Sequence, residues 1–113
     1  MKVLIKGSDE TPEVVLKEDK LFIFGYCFPE DPLPFFGKLK EVLSNHIKQA
    51  IQFELEYINS ASFNSLYKTW KSHTTSAEIS FIIDEDDQVF IQKIEDLNLL
   101  LDNDVQVEYI KTE

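Results

Sequence analysis

The chain is poor in the residues from which most enzyme and metal motifs are built. Cys27 is its single cysteine, so neither an intramolecular disulfide nor a cysteine-based zinc cage is available, and a reducing cytosol is the expected setting. Three glycines are too few to assemble a Gly-rich phosphate loop. The two histidines, His46 and His73, stand far from each other and from Cys27 and belong to no nucleophile or metal motif. Surface or capping roles are expected for them, and a packing role for Cys27. No apolar run approaches the roughly 20 residues that span a bilayer, and the N-terminal stretch turns acidic before a signal-peptide core forms, so neither export nor insertion is expected. Basic residues are also scarce, 11 against 21 acidic ones, a net charge of -10. Such a field repels phosphate backbones and anionic lipid headgroups, which argues against nucleic-acid and membrane partners and favours a protein partner with a basic patch.

What the chain does have is a core. Nine Phe and four Tyr within a 43% apolar composition argue for a packed interior and against a disordered acidic tail. At 113 residues, one domain covering positions 1–113 is expected.

The hydrophobic pattern gives the order of elements. Val14 to Leu16 and Lys20 to Phe24 read as a hairpin joined by Lys17-Glu18-Asp19, with Gly25 ending the pair. Pro29, Pro32 and Pro34 break regular structure before a helix of roughly Leu33 to Lys48, marked by Phe35, Phe36, Leu39, Val42, Leu43 and Ile47. Ile51, Phe53, Leu55 and Tyr57 then alternate with Gln52, Glu54 and Glu56. The same period of two recurs in Ala77, Ile79, Phe81 and Ile83, and again in Val105, Val107 and Tyr109. Two more helices are expected, Ser60 to His73 with Phe63, Leu66, Tyr67 and Trp70 on one stripe, and about Gln88 to Leu101 with Val89, Ile91, Ile94, Leu97 and Leu101. Strands with one polar face exclude a doubly wound sheet, whose strands are buried on both sides. The expected fold is α/β: a mixed sheet of about five strands in the order ββαβαβαβ, helices packed on one face, and parallel pairing after the first hairpin.

Three places carry candidate chemistry. Asn59-Ser60-Ala61-Ser62 follows a strand and opens a helix, where Asn and Ser side chains cap the first turn. A hydroxyl there is also a place for phosphorylation, since the free N–H groups and the positive end of the helix dipole tolerate a phosphate. Asp84-Glu85-Asp86-Asp87 has some of the spacing of a calcium loop through Asp84, Asp86, Gln88 and Glu95. Val89 nevertheless stands where that loop needs Gly, and a solvated turn into a helix is the simpler reading. Glu54 and Glu56 share a strand face, but that face is expected to be wet, with nothing to raise a pKa for acid–base work.

Three motifs in order, Thr11-Pro12-Glu13-Val14, Gly25-Tyr26-Cys27-Phe28-Pro29-Glu30-Asp31 and Leu55-Glu56-Tyr57-Ile58-Asn59-Ser60-Ala61-Ser62, together resemble the SiaC family of bacterial regulatory phosphoproteins. Phe81-Ile82-Ile83-Asp84 stands at the family's aromatic strand end, Ala61 at its second turn hydroxyl and Asn64 at a usual Lys. The resemblance implies a STAS-like fold, similar to anti-sigma-factor antagonists. It also implies a switch: a dedicated Ser/Thr protein kinase phosphorylates the residue after the turn Asn, here Ser60, and a PP2C-type phosphatase reverses it. The unphosphorylated form would bind and activate a diguanylate cyclase, with cyclic-di-GMP signalling and surface attachment as the output.

The expected role is therefore a cytoplasmic adaptor without catalytic activity or cofactor, bound and modified by other proteins. Ser60 is the expected acceptor with Ser62 as fallback, and Asn59, Pro29, Glu30, Asp31, Phe63 and Asn64 form the partner-binding face. Two other classes compete with this reading: a non-switching interaction module of the same fold, and a divalent-metal enzyme using the acidic cluster.

Overall fold

The computed structural model describes residues 1–45, 50–72, 79–84, 86–100 and 106–110. His46, Ile47, Lys48, His73, Ala77, Glu85, Leu101 and Val105, which the sequence reading uses, lie outside these residues, and of Trp70 and the last strand only the backbone is described. The elements run β1 (Lys2–Ile5), β2 (Glu13–Lys17), β3 (Lys20–Cys27), α1 (Leu33–Asn45), β4 (Ala50–Ile58), α2 (Ser60–Ser72), β5 (Ile79–Asp84), α3 (Gln88–Leu100) and β6 (Gln106–Ile110).

The described strands join one six-stranded sheet whose spatial order is the chain order, β1 to β6. β1, β2 and β3 pair antiparallel, and β3, β4, β5 and β6 pair parallel. This topology explains why the sheet is covered on one side. Each crossover steps in the same direction along the sheet, and right-handed crossovers in one direction place every helix on the same face. The odd-numbered residues Leu21, Ile23, Ile51, Phe53, Phe81 and Ile83 look toward those helices and are buried, whereas Phe24, Glu54, Glu56 and Asp84 on the other face are exposed.

A single hydrophobic cluster takes residues from β1 to β5 and all three helices. α1 contributes Phe35, Phe36, Leu39 and Leu43, α2 contributes Leu66 flanked by half-buried Phe63 and Tyr67, and α3 contributes Phe90, Ile94 and Leu97. At its centre Phe53 and Phe81, register partners on β4 and β5, stack at 4.6 Å with their rings 10° from parallel.

The expected order holds, with three corrections. β1 adds an edge strand at the N-terminus; Val3-Leu4-Ile5 is too short and unalternating to announce it, and its pairing with β2 is what makes it a strand. Val89 is exposed, because the buried stripe of α3 runs Phe90, Ile94 and Leu97 and leaves the residue before it pointing to water. Gly25 does not end β3. The strand continues to Cys27, and Gly25 adopts a φ of 118° where the register with β4 shifts.

That φ is open to glycine and strained for any other residue. Gly25→Ala is expected to destabilise the fold by about 1–3 kcal/mol, the usual cost of holding a side chain in such a conformation. Urea denaturation checks this, and an unchanged midpoint would show that the backbone can relax there.

Candidate functional site

The ends of β3 and β4 are shaped by an extra residue. Gly25 pairs with Leu55, Tyr26 with Tyr57 and Cys27 with Ile58, so Glu56 has no partner of its own. Such a bulge shifts the phase of the strand by one residue. Glu56 and Tyr57 are consequently both exposed, and Ile58 returns to the core beside Cys27.

The strand then hands over to α2 through Asn59. Its N–H donates to the Cys27 carbonyl at 3.0 Å, a last rung of the β3–β4 ladder. Its side-chain Oδ1 accepts the Ser62 N–H at 2.9 Å and its carbonyl accepts the Phe63 N–H at 2.9 Å, which makes Asn59 the N-cap. Capping thus falls to Asn59 and relieves the serines of it. Ser60, the first helical residue, is exposed, and no hydrogen bond to a described residue ties its hydroxyl. Around it lie the first-turn N–H groups that have no intrahelical acceptor.

Ser62, two residues on, is fully buried and its Oγ has no hydrogen-bond partner. The nearby Cys27 thiol senses this hydroxyl without meeting it in hydrogen-bonding geometry. Burial pushes the thiol up from 9.0 to about 11, with Ser62 acting in the opposite direction.

The other expected residues gather at the same end of the sheet. The segment after β3 is fastened by the Phe28 N–H donating to the Glu10 carbonyl at 2.8 Å. Pro29 is buried, whereas Glu30 and Asp31 are exposed; Asp31 Oδ1 accepts the Leu33 N–H at 3.2 Å as α1 begins. Phe63 is half-buried against the core and Asn64 is exposed.

Two features had no clear signal in the sequence. Tyr26, Phe28 and Tyr57 form an exposed aromatic ledge, with ring centroids 6.2 Å apart for the first pair and 6.1 Å for the second. The neighbouring Glu56 carboxylate, as a hydrogen-bond acceptor and as a charge, holds the Tyr26 phenol above its ordinary 10.0. Lys93 of α3 reaches across to donate its Nζ to the Ile58 carbonyl at 2.9 Å and lies 5.9 Å from the centre of the Tyr57 ring. The bulge explains the ledge in retrospect, since only a phase shift brings Tyr57 out of the core-facing series that Ile51, Phe53 and Leu55 begin.

The acidic segment serves the backbone. Asp84 Oδ1 accepts the Asp86 N–H at 2.9 Å, and Asp87 Oδ1 accepts the Phe90 N–H at 3.1 Å as the N-cap of α3. Among the described residues, no three His, Cys, Asp or Glu side chains are arranged to hold a metal ion. Glu54 and Glu56 line an open cleft of about 380 Å³ between β4 and β5, with Ile82, Asp84, Asp87 and Phe90 on its other walls. No described helix is long and apolar enough to cross a membrane.

The sequence profile described as SiaC family regulatory phosphoprotein matches residues 5–111. Solved structures from Pseudomonas aeruginosa have the same fold. A chain in the crystal structure of diguanylate cyclase SiaD in complex with its activator SiaC superposes with a TM-score of 0.74 at 13% identity, over 94% of this chain and 96% of that one. SiaC itself gives 0.68 at 15% identity over 99% and 98%, and apo-SiaC gives 0.61 at 16% over the whole of both chains. No curated protein sequence matches the chain significantly.

Two outcomes follow from the local geometry. Asn59→Ala should lower stability by about 1 kcal/mol through loss of the cap, while Ser60→Ala should change it by no more than a few tenths. Equal losses in urea titrations would mean that Ser60, too, holds the helix start. The protonated Cys27 thiol is the form the fold favours, so its stabilisation is whole below 9.0 and is lost as the pH climbs toward about 11. The urea midpoint of the wild type should therefore fall faster over that interval than that of Cys27→Ala, and parallel pH profiles would contradict the burial of the thiol.

Proposed function

This chain belongs to the SiaC family of regulatory phosphoproteins, and from that premise we propose that it is a non-enzymatic phospho-switch with Ser60 as its acceptor. The observation that carries the reading is the division of labour at the start of α2. Asn59 caps the helix, so the exposed Ser60 hydroxyl can be modified without removing a hydrogen bond from the fold. A phosphate there meets unpaired N–H groups and the positive end of the helix dipole, which makes the modification compatible with the folded state.

Ser62 is set aside as the fallback acceptor. Its hydroxyl is fully buried under the first turn of α2, and a kinase would have to open that turn to reach it.

The proposed partners are a Ser/Thr protein kinase, a PP2C-type phosphatase and an effector, which we take to be a diguanylate cyclase. Support for the effector comes from the relative in which SiaC is the activator bound to SiaD. The docking face is formed by the exposed Glu30, Asp31 and Asn64 with half-buried Asn59, shaped from beneath by buried Pro29 and half-buried Phe63. Phosphorylation adds about -1.5 to -2 units of charge within this face. An effector surface that packs there must then desolvate a dianion, and a loss of about tenfold in affinity corresponds to only 1.4 kcal/mol.

Incubation with a SiaC-type kinase and ATP, read by intact mass, tests the acceptor. One phosphate is expected on the wild type and none on Ser60→Ala. Equal addition to both would move the acceptor elsewhere. Binding of the phosphorylated form to the cyclase should weaken at least tenfold by calorimetry, and unchanged binding would leave a modified protein that does not switch.

A further inference from the structure

Lys93 stands out because the fold holds its ammonium at the end of β4, on the carbonyl two residues before Ser60, and no described residue gives it a negative partner there. Its Nζ is bonded to a neutral carbonyl, Ile58 O at 2.9 Å, and lies 5.9 Å from the face of Tyr57. Ile58 is two residues before Ser60, so Ser60 Cα lies within about 8 Å of Ile58 Cα, given 3.8 Å between consecutive Cα atoms. The ammonium sits on a flexible four-carbon stem with rotatable donors, so its head can turn from the carbonyl toward a phosphate on that neighbouring residue.

We propose that Lys93 is the positioning residue that reads the phosphate: when Ser60 is phosphorylated, the ammonium leaves the Ile58 carbonyl and the Tyr57 ring and pairs with the phosphate oxygens. The exchange is favoured because a hydrogen bond from an ammonium to a dianion is roughly twice as strong as one between neutral groups, and its present acceptor is neutral. Phosphorylation then alters the docking face in two places at once. Charge arrives at Ser60, and Tyr57 loses the cation that covers it, which exposes one end of the ledge formed with Phe28 and Tyr26. Lys93 sits on α3, so the same movement ties the third helix to the state of a residue on the second.

This inference rests on Ser60 as acceptor, and the two can fail separately. Phosphoserine is installed at position 60 during translation, which needs no kinase, and the phosphate is titrated by phosphorus NMR in the wild type, Lys93→Met and Lys93→Arg. The second ionisation, ordinarily near 6, should lie lower in the wild type than in Lys93→Met by about half a unit or more, and Lys93→Arg should recover most of the difference. The Tyr57 ring protons of the wild type should also shift on phosphorylation as the ammonium departs. Superimposable titrations in a folded Lys93→Met protein would overturn the proposal. If that variant fails to fold, Tyr57 resonances that do not move between the serine and phosphoserine forms of the wild type would overturn it as well. Neither result touches the kinase assay, whose failure would instead remove Ser60 as the natural acceptor.

Discussion

The site depends on one residue making three backbone connections. Asn59 ends β4 by donating to Cys27, begins α2 by accepting from Phe63 through its carbonyl, and caps the helix by accepting from Ser62 through its side chain. These bonds lock the strand-to-helix corner to the neighbouring strand, so Ser60 is presented from a fixed frame and not from a mobile loop. The same bonds decide which serine is exposed. The first helical position projects outward, and the third is drawn under the turn against Cys27, where Ser62 Oγ has no partner. A buried hydroxyl without a hydrogen bond carries a desolvation cost of about 1–3 kcal/mol. The rest of the core must offset that cost, which is further reason to regard the corner as tightly determined.

The bulge just before Asn59 is the second half of the same device. Without it, strict alternation would carry the core-facing series Ile51, Phe53, Leu55 on to Tyr57 and turn Ile58 toward water. With it, Ile58 is buried beneath the helix start and Tyr57 joins Tyr26 and Phe28 outside. A one-residue shift therefore builds the aromatic ledge and anchors the acceptor turn together. The uniform direction of the crossovers then leaves the ledge and the cleft beside it uncovered, since no helix crosses to that face.

Much of this was legible in the sequence because its signals are local. Period-two runs gave the strands, the apolar stripes gave the helices, and one-sided polarity gave the open face. The Asn-Ser pair marked the helix start to the residue. What stayed hidden depends on pairing between distant segments. β1 is a strand only because β2 lies beside it, and the bulge exists only in the register between β3 and β4. Lys93 lies 35 positions beyond the carbonyl it holds, and nothing around it in the chain distinguishes it from a solvated lysine. Gly25 was legible as a break in the pattern, but only the structure shows that the break is a register shift inside a continuous strand. The resemblance ranked Ser60 ahead of Ser62, and the structure supplies a physical ground for that order, since Ser60 is exposed and Ser62 is buried under the turn.

On net charge alone an acidic protein is an ineffective place for a phosphate signal, since two more negative charges change a net of -10 by little. The objection fails on distance. At physiological ionic strength charges separated by more than about 8 Å are largely screened, so the distant carboxylates contribute little to the potential at Ser60. What matters there is the handful of groups at the corner: unpaired helix N–H groups and an ammonium held by a carbonyl. Before phosphorylation that balance includes a cation facing an aromatic ring. In the proposed switch a dianion on Ser60 would dominate it and draw the Lys93 ammonium away from the ring, so that a partner docking on the ledge would meet a different local charge and a different ring surface. The overall acidity would then act separately from the proposed switch, by steering basic surfaces toward the protein in either state.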